Sequence, residues 1–490
     1  MKMRNPALTV GLLALMYSGI GCWRPSFWTD EAATLSAVRR SFPDLTEMLG
    51  HVDAVHGAYY VLLFGWTRVF GFSELSLRLP SVVAIALAAF VMVRLGAKLG
   101  NVRLGVLAAA LMVVLPRTQY SATDARSYAL TVLGAVTATY LLVSIRENPR
   151  AVTFAAYAVV GAVTVGLSFY CIFLFAAHTL TSVWDSQLRK KWRGLLAASV
   201  GWLLPAGYIG VVASQQQFQI SWIPPVGPSF LFEYSFLQFF GDGYFAKDGI
   251  VVPLSTPGED ASMYGLAVLM WIAAAIGVWS CRGHFLVRLS LPWLVVPAII
   301  AIGGSLLTGG NYYLPRYLTF TVPALALLAA APLGRPQVLR GCRARRVWTA
   351  AACVALVLAV PSYVGQRTQF GRDPADDFRF VATAVGRLAE PGGAFVMSAS
   401  SDLAYQAYPD SFRGLGDPTR GITAAQWKRI YDQRFDVASS APKIIQYSSV
   451  ILVEKNGDTS MARALQDLGY APGTAERGPA TTVTRFSRRA

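Results

Sequence analysis

The sequence predicts an all-α polytopic membrane protein of about eleven transmembrane helices with a small C-terminal α/β domain outside the membrane. Three observations carry that expectation. Hydrophobic residues make up 54% of the 490 positions and charged residues only 14%, where a soluble domain carries about 25% charged residues. Apolar runs recur at close to the length a spanning helix needs, about 20 residues. Beyond residue 366 the apolar runs stop and the pattern changes to short alternating and amphipathic segments.

Hydropathy places the spans near 6–23, 79–97, 104–116, 127–145, 152–168, 171–185, 194–213, 263–280, 288–307, 317–334 and 348–366. Met1 to Cys22 has the make-up of a signal peptide, with Lys2 and Arg4 before an apolar run, and is read as an uncleaved first span. Cations then set the orientation. One series of loops holds Lys2 and Arg4, Arg94 and Lys98, Arg146 and Arg150, Arg189 to Arg193, Arg282 and Arg288, and Arg335 to Arg346. The opposite short loops hold few. The positive-inside rule makes the first series cytoplasmic. A multi-pass membrane protein follows, with its N-terminus inside and its C-terminus outside.

The net charge of +16 belongs with this orientation and with anionic head groups rather than with nucleic acid. Cys22, Cys171, Cys281, Cys342 and Cys353 are scattered without metal-ligand spacing and read as small apolar fillers.

Three long segments fall outside: about 24–78, about 214–262, and a tail from about 367 to 490. The expected domains are thus a membrane domain, 1–366, and an outer α/β domain, 367–490. In the tail, Asp376 to Leu388 reads as an amphipathic helix, Ala394 to Ser398 and Ile444 to Glu454 as strands, and Met461 to Leu468 as a helix. It has no Gly-rich phosphate loop and no Cys or His cluster. Its expected role is support of the membrane part or contact with an acceptor.

Acidic residues are confined to span ends and outer loops, and none occurs between Asp260 and Asp373. A relay through the bundle core would need ionisable groups there, so chemistry at the outer surface is the better expectation. Phe27-Trp28-Thr29-Asp30-Glu31-Ala32 follows the first span directly, either a solvated acidic turn with an interfacial Trp or a pair of working carboxylates. His51 to Tyr60 follows, with His56 and Tyr59, and leads into an apolar stretch through Phe70 that is too short to span and suits a helix in the interface. Tyr120 to Leu130 bridges two spans and carries Asp124, Arg126 and Tyr128. Arg126 sits where cations are disfavoured, and a guanidinium there can grip a phosphate through two parallel hydrogen bonds. Tyr312-Tyr313-Leu314-Pro315-Arg316-Tyr317 puts a second outer arginine at a span start, suited either to snorkelling or to a lipid-phosphate clamp. Trp222 and Lys247, in the middle loop, add aromatic surface and a cation.

Taken in order, these elements resemble the GT-C superfamily of membrane glycosyltransferases, nearest the protein O-mannosyltransferase and lipid A aminoarabinose transferase branch with its bacterial and mycobacterial cousins. The resemblance rests on Asp30-Glu31, His56-Gly57-Ala58-Tyr59-Tyr60, Leu77-Arg78-Leu79-Pro80, Asp124 to Leu130 and Pro315-Arg316-Tyr317, with Phe378 to Gly393 opening the tail. Two departures concern the substrate more than the reaction. Gly57-Ala58 stands where many relatives have Pro-Pro, and Asp124-Ala125-Arg126 where many have Glu-Ala-Arg.

The resemblance implies a polyprenyl-phosphate monosaccharide donor and inversion at the anomeric carbon, with mannose favoured over arabinose by analogy alone. The acceptor it implies is a cell-envelope glycan, lipoglycan or protein. Asp30 is then the candidate base, with Glu31 orienting the acceptor or sharing that duty. Arg126 and Arg316, with His56 and Tyr128, would hold the donor phosphate. Asp124, Tyr59, Trp222, Lys247 and Tyr317 are candidate substrate contacts. A divalent ion is left open by the resemblance, since some relatives use one and others none, and no residue cluster has convincing ligand spacing. The competing readings are a lipid-linked sugar transporter or flippase, and a non-catalytic envelope assembly protein.

Overall fold

The computed structural model describes residues 5–216, 222–241, 244–247, 250–253, 257–334, 342–373, 375–398 and 401–488. Lys2, Arg4, Ser221, Arg335 and Arg340 lie outside the described residues, as do the side chains of Lys247, Cys342, Arg343 and Arg345. The chain divides into two compact units. One comprises Met1–Cys22, Ala54–Tyr59 and Leu75–Arg367, the other Trp23–Asp53, Tyr60–Glu74 and Thr368–Ala490.

The first unit is built of apolar helices, and local chemistry marks their ends. Asn5 caps the Pro6–Gly19 helix by accepting the Leu8 N–H at 3.3 Å, with Pro6 in the first turn where its missing N–H costs nothing. Asn101 does the same for Val102–Val114 through Leu104 N–H at 3.0 Å. Gly309 ends Phe285–Thr308 at a left-handed φ of 69°. Among the described residues five helices are long and apolar enough to cross a membrane: Glu74–Leu99, Tyr128–Glu147, Trp192–Ser214, Asp260–Ser280 and Phe285–Thr308. A sixth is added if Val102–Val114 and Pro116–Ala122, bent by 70°, form one span. The remaining expected spans fall on shorter apolar helices, among them Ala151–Leu167, Ile172–Trp184 and Val322–Gly334. The chain is a multi-pass membrane protein.

Helices among lipid gain little from hydrophobic burial against one another and pack instead through close backbone approach. Gly105 lies against the Val93 backbone and Gly277 against the Leu328 carbonyl, so closely that a Cβ at either would overlap its neighbour. Hydroxyls inside the bundle bond back to their own helix, as Thr139 does to the Ala135 carbonyl at 2.7 Å and Thr181 to that of Ala177 at 2.9 Å. Cys22, Cys171 and Cys281 are buried as free thiols.

The second unit contains a four-stranded sheet in the order Ala394–Met397, Ser449–Lys455, Thr481–Arg488, Tyr470–Arg477. The first pair is parallel, with Ala394 opposite Val450, and the other two are antiparallel. Val396, Val450, Leu452, Leu465, Tyr470 and Phe486 form its core. The expected amphipathic helix is Phe378–Leu388, and the expected helix after the second strand is Ser460–Asp467. The second strand begins later than expected, at Ser449. Pro442 opens a helical turn, Ala441–Ile444, and the Tyr470 hydroxyl then donates to the carbonyls of Ile444 at 2.8 Å and Tyr447 at 2.6 Å.

Candidate functional site

In the second unit, Asp30 and Glu31 lie in the first turn of the Thr29–Val38 helix, where carboxylates are favoured by the exposed N–H groups. Asp30 is half-buried and Glu31 fully enclosed. The residue before the helix is Trp28, whose side chain makes no cap. The missing acceptor is Asp376, whose Oδ2 takes the Thr29 N–H at 2.6 Å. Burial, then the neighbouring Asp373, push the Asp376 carboxyl up to about 7. Thr29 and Asp376 also border a cavity of about 260 Å³ whose wall carries Phe378, Ser401, Lys455 and Thr481.

The segment leading into this helix is clamped. Arg379 donates to the carbonyls of Arg24 at 2.7 Å and Pro25 at 3.0 Å and pairs with Glu74 at 2.6 Å. The Tyr408 hydroxyl donates to Glu74 at 2.7 Å and accepts the Phe27 N–H at 3.0 Å. Burial, then the Glu74 charge, push this phenol up to about 12, so it stays protonated. At the other end of the helix Arg39 donates to the Gln406 carbonyl at 2.6 Å, and Ser36 to that of Ile430. The acidic segment is therefore held by residues of the tail.

In the first unit, the arginine motifs come together through aromatic side chains. The bend between Pro116–Ala122 and Tyr128–Glu147 buries Asp124, Arg126 and Tyr128. Ser81, just after Pro80, donates to the Asp124 carbonyl at 2.6 Å, and fully buried Arg78 donates to the Cys22 carbonyl at 2.8 Å. The Leu77 to Pro80 motif thus fixes both the end of the first helix and this bend. Arg316 opens the short helix Pro315–Thr321. Its guanidinium carbon stands 5.4 Å from the Trp222 ring centroid and 5.9 Å from that of Tyr317. Tyr317 in turn lies 6.3 Å from Tyr128 and 4.9 Å from Tyr170. Tyr170 also donates to the Tyr312 carbonyl at 2.7 Å. A guanidinium near two aromatic rings can keep its planar fork available for an oxyanion, and aromatic rings can also stack on a sugar.

His56 ends the turn Ala54–His56, which Gln216 anchors by accepting the Ala54 N–H at 3.1 Å, and Tyr59 is fully buried. In the second unit Asp53 adopts a left-handed φ of 58° and accepts the Tyr60 hydroxyl at 2.6 Å. Lys247 falls on the strand Tyr244–Lys247. Among the described residues no group of three or more His, Cys, Asp or Glu side chains is placed to hold a metal ion.

Sequence reasoning missed Asp376, Arg379, Tyr170 and the buried Arg367, which donates to Gln119 at 2.7 Å and to the Ile20 carbonyl at 2.7 Å. One signal was available: Trp28 cannot cap a helix, so an acceptor had to come from elsewhere in the chain.

No family model and no curated protein matches the chain. Solved structures do. ArnT from Cupriavidus metallidurans in the apo state superposes with a TM-score of 0.58 at 14% identity, over 97% of each chain. The same protein bound to undecaprenyl phosphate gives 0.58 at 13% identity over the same shares. The Archaeoglobus fulgidus oligosaccharyltransferase in the apo form gives 0.51 at 10% identity, over 91% of this chain and 69% of that one. The likeness runs through nearly the whole sequence, and the protein shares the fold of these solved structures.

Proposed function

We infer that the protein is an inverting glycosyltransferase that moves a monosaccharide from a polyprenyl-phosphate carrier to a hydroxyl of a cell-envelope glycan, lipoglycan or protein. Mannose is the favoured sugar and arabinose the second choice. The observation that carries this reading is the gathering of Arg316 with Trp222, Tyr317 and Tyr128 in a chain whose fold is that of an enzyme solved with undecaprenyl phosphate.

In this reading the acceptor oxygen attacks the anomeric carbon from the face opposite the phosphate. The new carbon–oxygen bond forms as the bond to the phosphate oxygen breaks, and the configuration inverts. Asp30 takes the acceptor proton, since a hydroxyl is a poor nucleophile until it is relieved of that proton. Asp30 suits the task better than Glu31, because it is partly accessible and Glu31 is not. Glu31, next to it in the same helix turn, orients the acceptor or shares that duty. The leaving group is the polyprenyl phosphate, and Arg126 and Arg316, with His56 and Tyr128, stabilise its growing charge. Asp124, Tyr59, Tyr317, Trp222 and Lys247 complete the contacts to the substrates. The cavity beside Thr29 offers an acceptor hydrogen-bonding partners in Ser401, Lys455 and Thr481. The orientation that accompanies this chemistry has about eleven spans, the N-terminus inside, and both the acidic segment and the tail outside.

The test is incubation of the purified chain with a panel of polyprenyl-phosphate sugars and envelope acceptors, read by mass spectrometry. The reading expects release of polyprenyl phosphate together with an acceptor heavier by one sugar. Movement of an intact lipid-linked sugar across vesicles, with no bond broken, would instead make the protein a transporter.

A further inference from the structure

Two hollows in the first unit, at the end that carries the basic 189–193 segment, share one residue, Trp192. One, of about 380 Å³, is bordered by Lys190, Lys191 and Arg193. The other, also about 380 Å³, runs between the helices Ile172–Trp184 and Trp192–Ser214, with Phe175, Leu196 and Leu203 on its walls. The one histidine bordering this groove, His178, is already engaged by the Tyr157 hydroxyl at 3.0 Å and by Thr139 at 3.1 Å. The groove is therefore apolar in effect, and one end opens onto cations.

Those cations lack local compensation. Arg189, Lys190, Lys191 and Arg193 take part in no ion pair among the described residues. The acid that precedes them, Asp185, is buried and saturated. It binds Arg146 at 3.0 Å and Arg288 at 3.5 Å and accepts the N–H groups of Gln187 and Leu188, each at 3.1 Å. Among the described residues no carboxylate borders either hollow. Trp192 stands exposed at the junction, with the Arg193 guanidinium 5.5 Å from its ring, as an indole does at the boundary between head groups and chains.

We propose that the two hollows form one binding site for an anionic glycerophospholipid. Its phosphate lies against Lys190, Lys191 and Arg193, and one acyl chain passes Trp192 into the groove toward Phe175. A zwitterionic lipid fits less well, because its ammonium would meet three uncompensated cations. The site is independent of sugar transfer.

The experiment is native mass spectrometry of the full chain, offered phosphatidylglycerol, phosphatidylcholine and undecaprenyl phosphate in competition. Wild type is expected to retain phosphatidylglycerol over phosphatidylcholine by about tenfold or more, each nearby cation favouring an anionic head group. The K190Q/K191Q/R193Q variant loses that preference. Thr179→Trp, at an exposed groove position, lowers phosphatidylglycerol retention without changing charge. Equal retention of the two phospholipids by wild type would overturn the proposal. So would a loss confined to the charge variant, which would mean a diffuse ionic surface. Undecaprenyl phosphate displacing phosphatidylglycerol from wild type, but not binding the charge variant, would hand the site to the carrier lipid and overturn it equally.

Discussion

Asp376 accepts the backbone N–H of Thr29 at 2.6 Å, directly ahead of Asp30 and 347 positions away in sequence. A helix start leaves N–H groups without partners, and the Trp28 side chain supplies none. The cap that sets the first turn of the acidic helix therefore comes from the tail. In a chain so poor in acids, this one has a positional role close to the candidate base.

The burial of the same carboxyl gives a pH dependence of known sign. The Asp376 carboxyl is raised from its usual 3.8 to about 7 by burial, then by Asp373. The folded state thus holds this proton more tightly than the unfolded chain. The resulting stability is complete below about 3.8 and is lost as pH climbs through 7. Asp376→Asn keeps an acceptor for Thr29 but cannot ionise. The melting temperature of wild type relative to this variant should fall between pH 5 and pH 8. A constant or rising difference across that range would contradict the assignment.

Arg316→Ala should lower turnover of the donor by 10²–10³-fold, the loss of about 2.7–4 kcal/mol typical of one oxyanion contact. Arg316→Lys keeps the charge but not the planar fork, and should fall between wild type and the alanine variant. Steady-state kinetics with donor and acceptor varied separately checks this. An equal loss of affinity for both substrates would argue against a phosphate contact.

Arg434 pairs with Asp402 at 2.7 Å, and both side chains are enclosed, at 2% and 0% exposure. Arg434→Ala leaves that carboxylate buried without its main partner and should cost about 3–5 kcal/mol. Limited proteolysis of the tail would detect it as faster cleavage between residues 402 and 434. Unchanged cleavage would show that the pair contributes little.

Gly277→Val should reduce the folded yield sharply, because the added side chain meets the Leu328 carbonyl where two helices touch. Gly303→Val, at a glycine with open space around it, is the control and should be tolerated. Size-exclusion profiles of the two variants distinguish them.

Much of this was legible in the chain. The apolar runs became helices because a lipid-facing segment must satisfy its backbone internally. The Phe378–Leu388 helix showed its face through spacing alone. Asp30, Arg126 and Arg316 were conspicuous because each charge sits at the end of an apolar span. Asp376 was not legible, since a cap donated across 347 positions leaves no local pattern. Nor was the meeting of Tyr128, Tyr170 and Tyr317. A tyrosine at a span end reads equally as a lipid anchor, and only the helix packing separates the two. The hairpin Tyr470–Arg477 and Thr481–Arg488 escaped notice because its strands are mostly polar and half-exposed.

In the proposed reaction Asp30 removes a proton from an acceptor while a lipid phosphate departs. Its most direct test is single-turnover release of polyprenyl phosphate from a polyprenyl-phosphate sugar, in the presence of acceptor, by wild type and by Asp30→Asn. Wild type should release it, and the variant should do so at a rate lower by about 10²–10⁴-fold, with expression and melting temperature unchanged. Release at the wild-type rate by Asp30→Asn would contradict it.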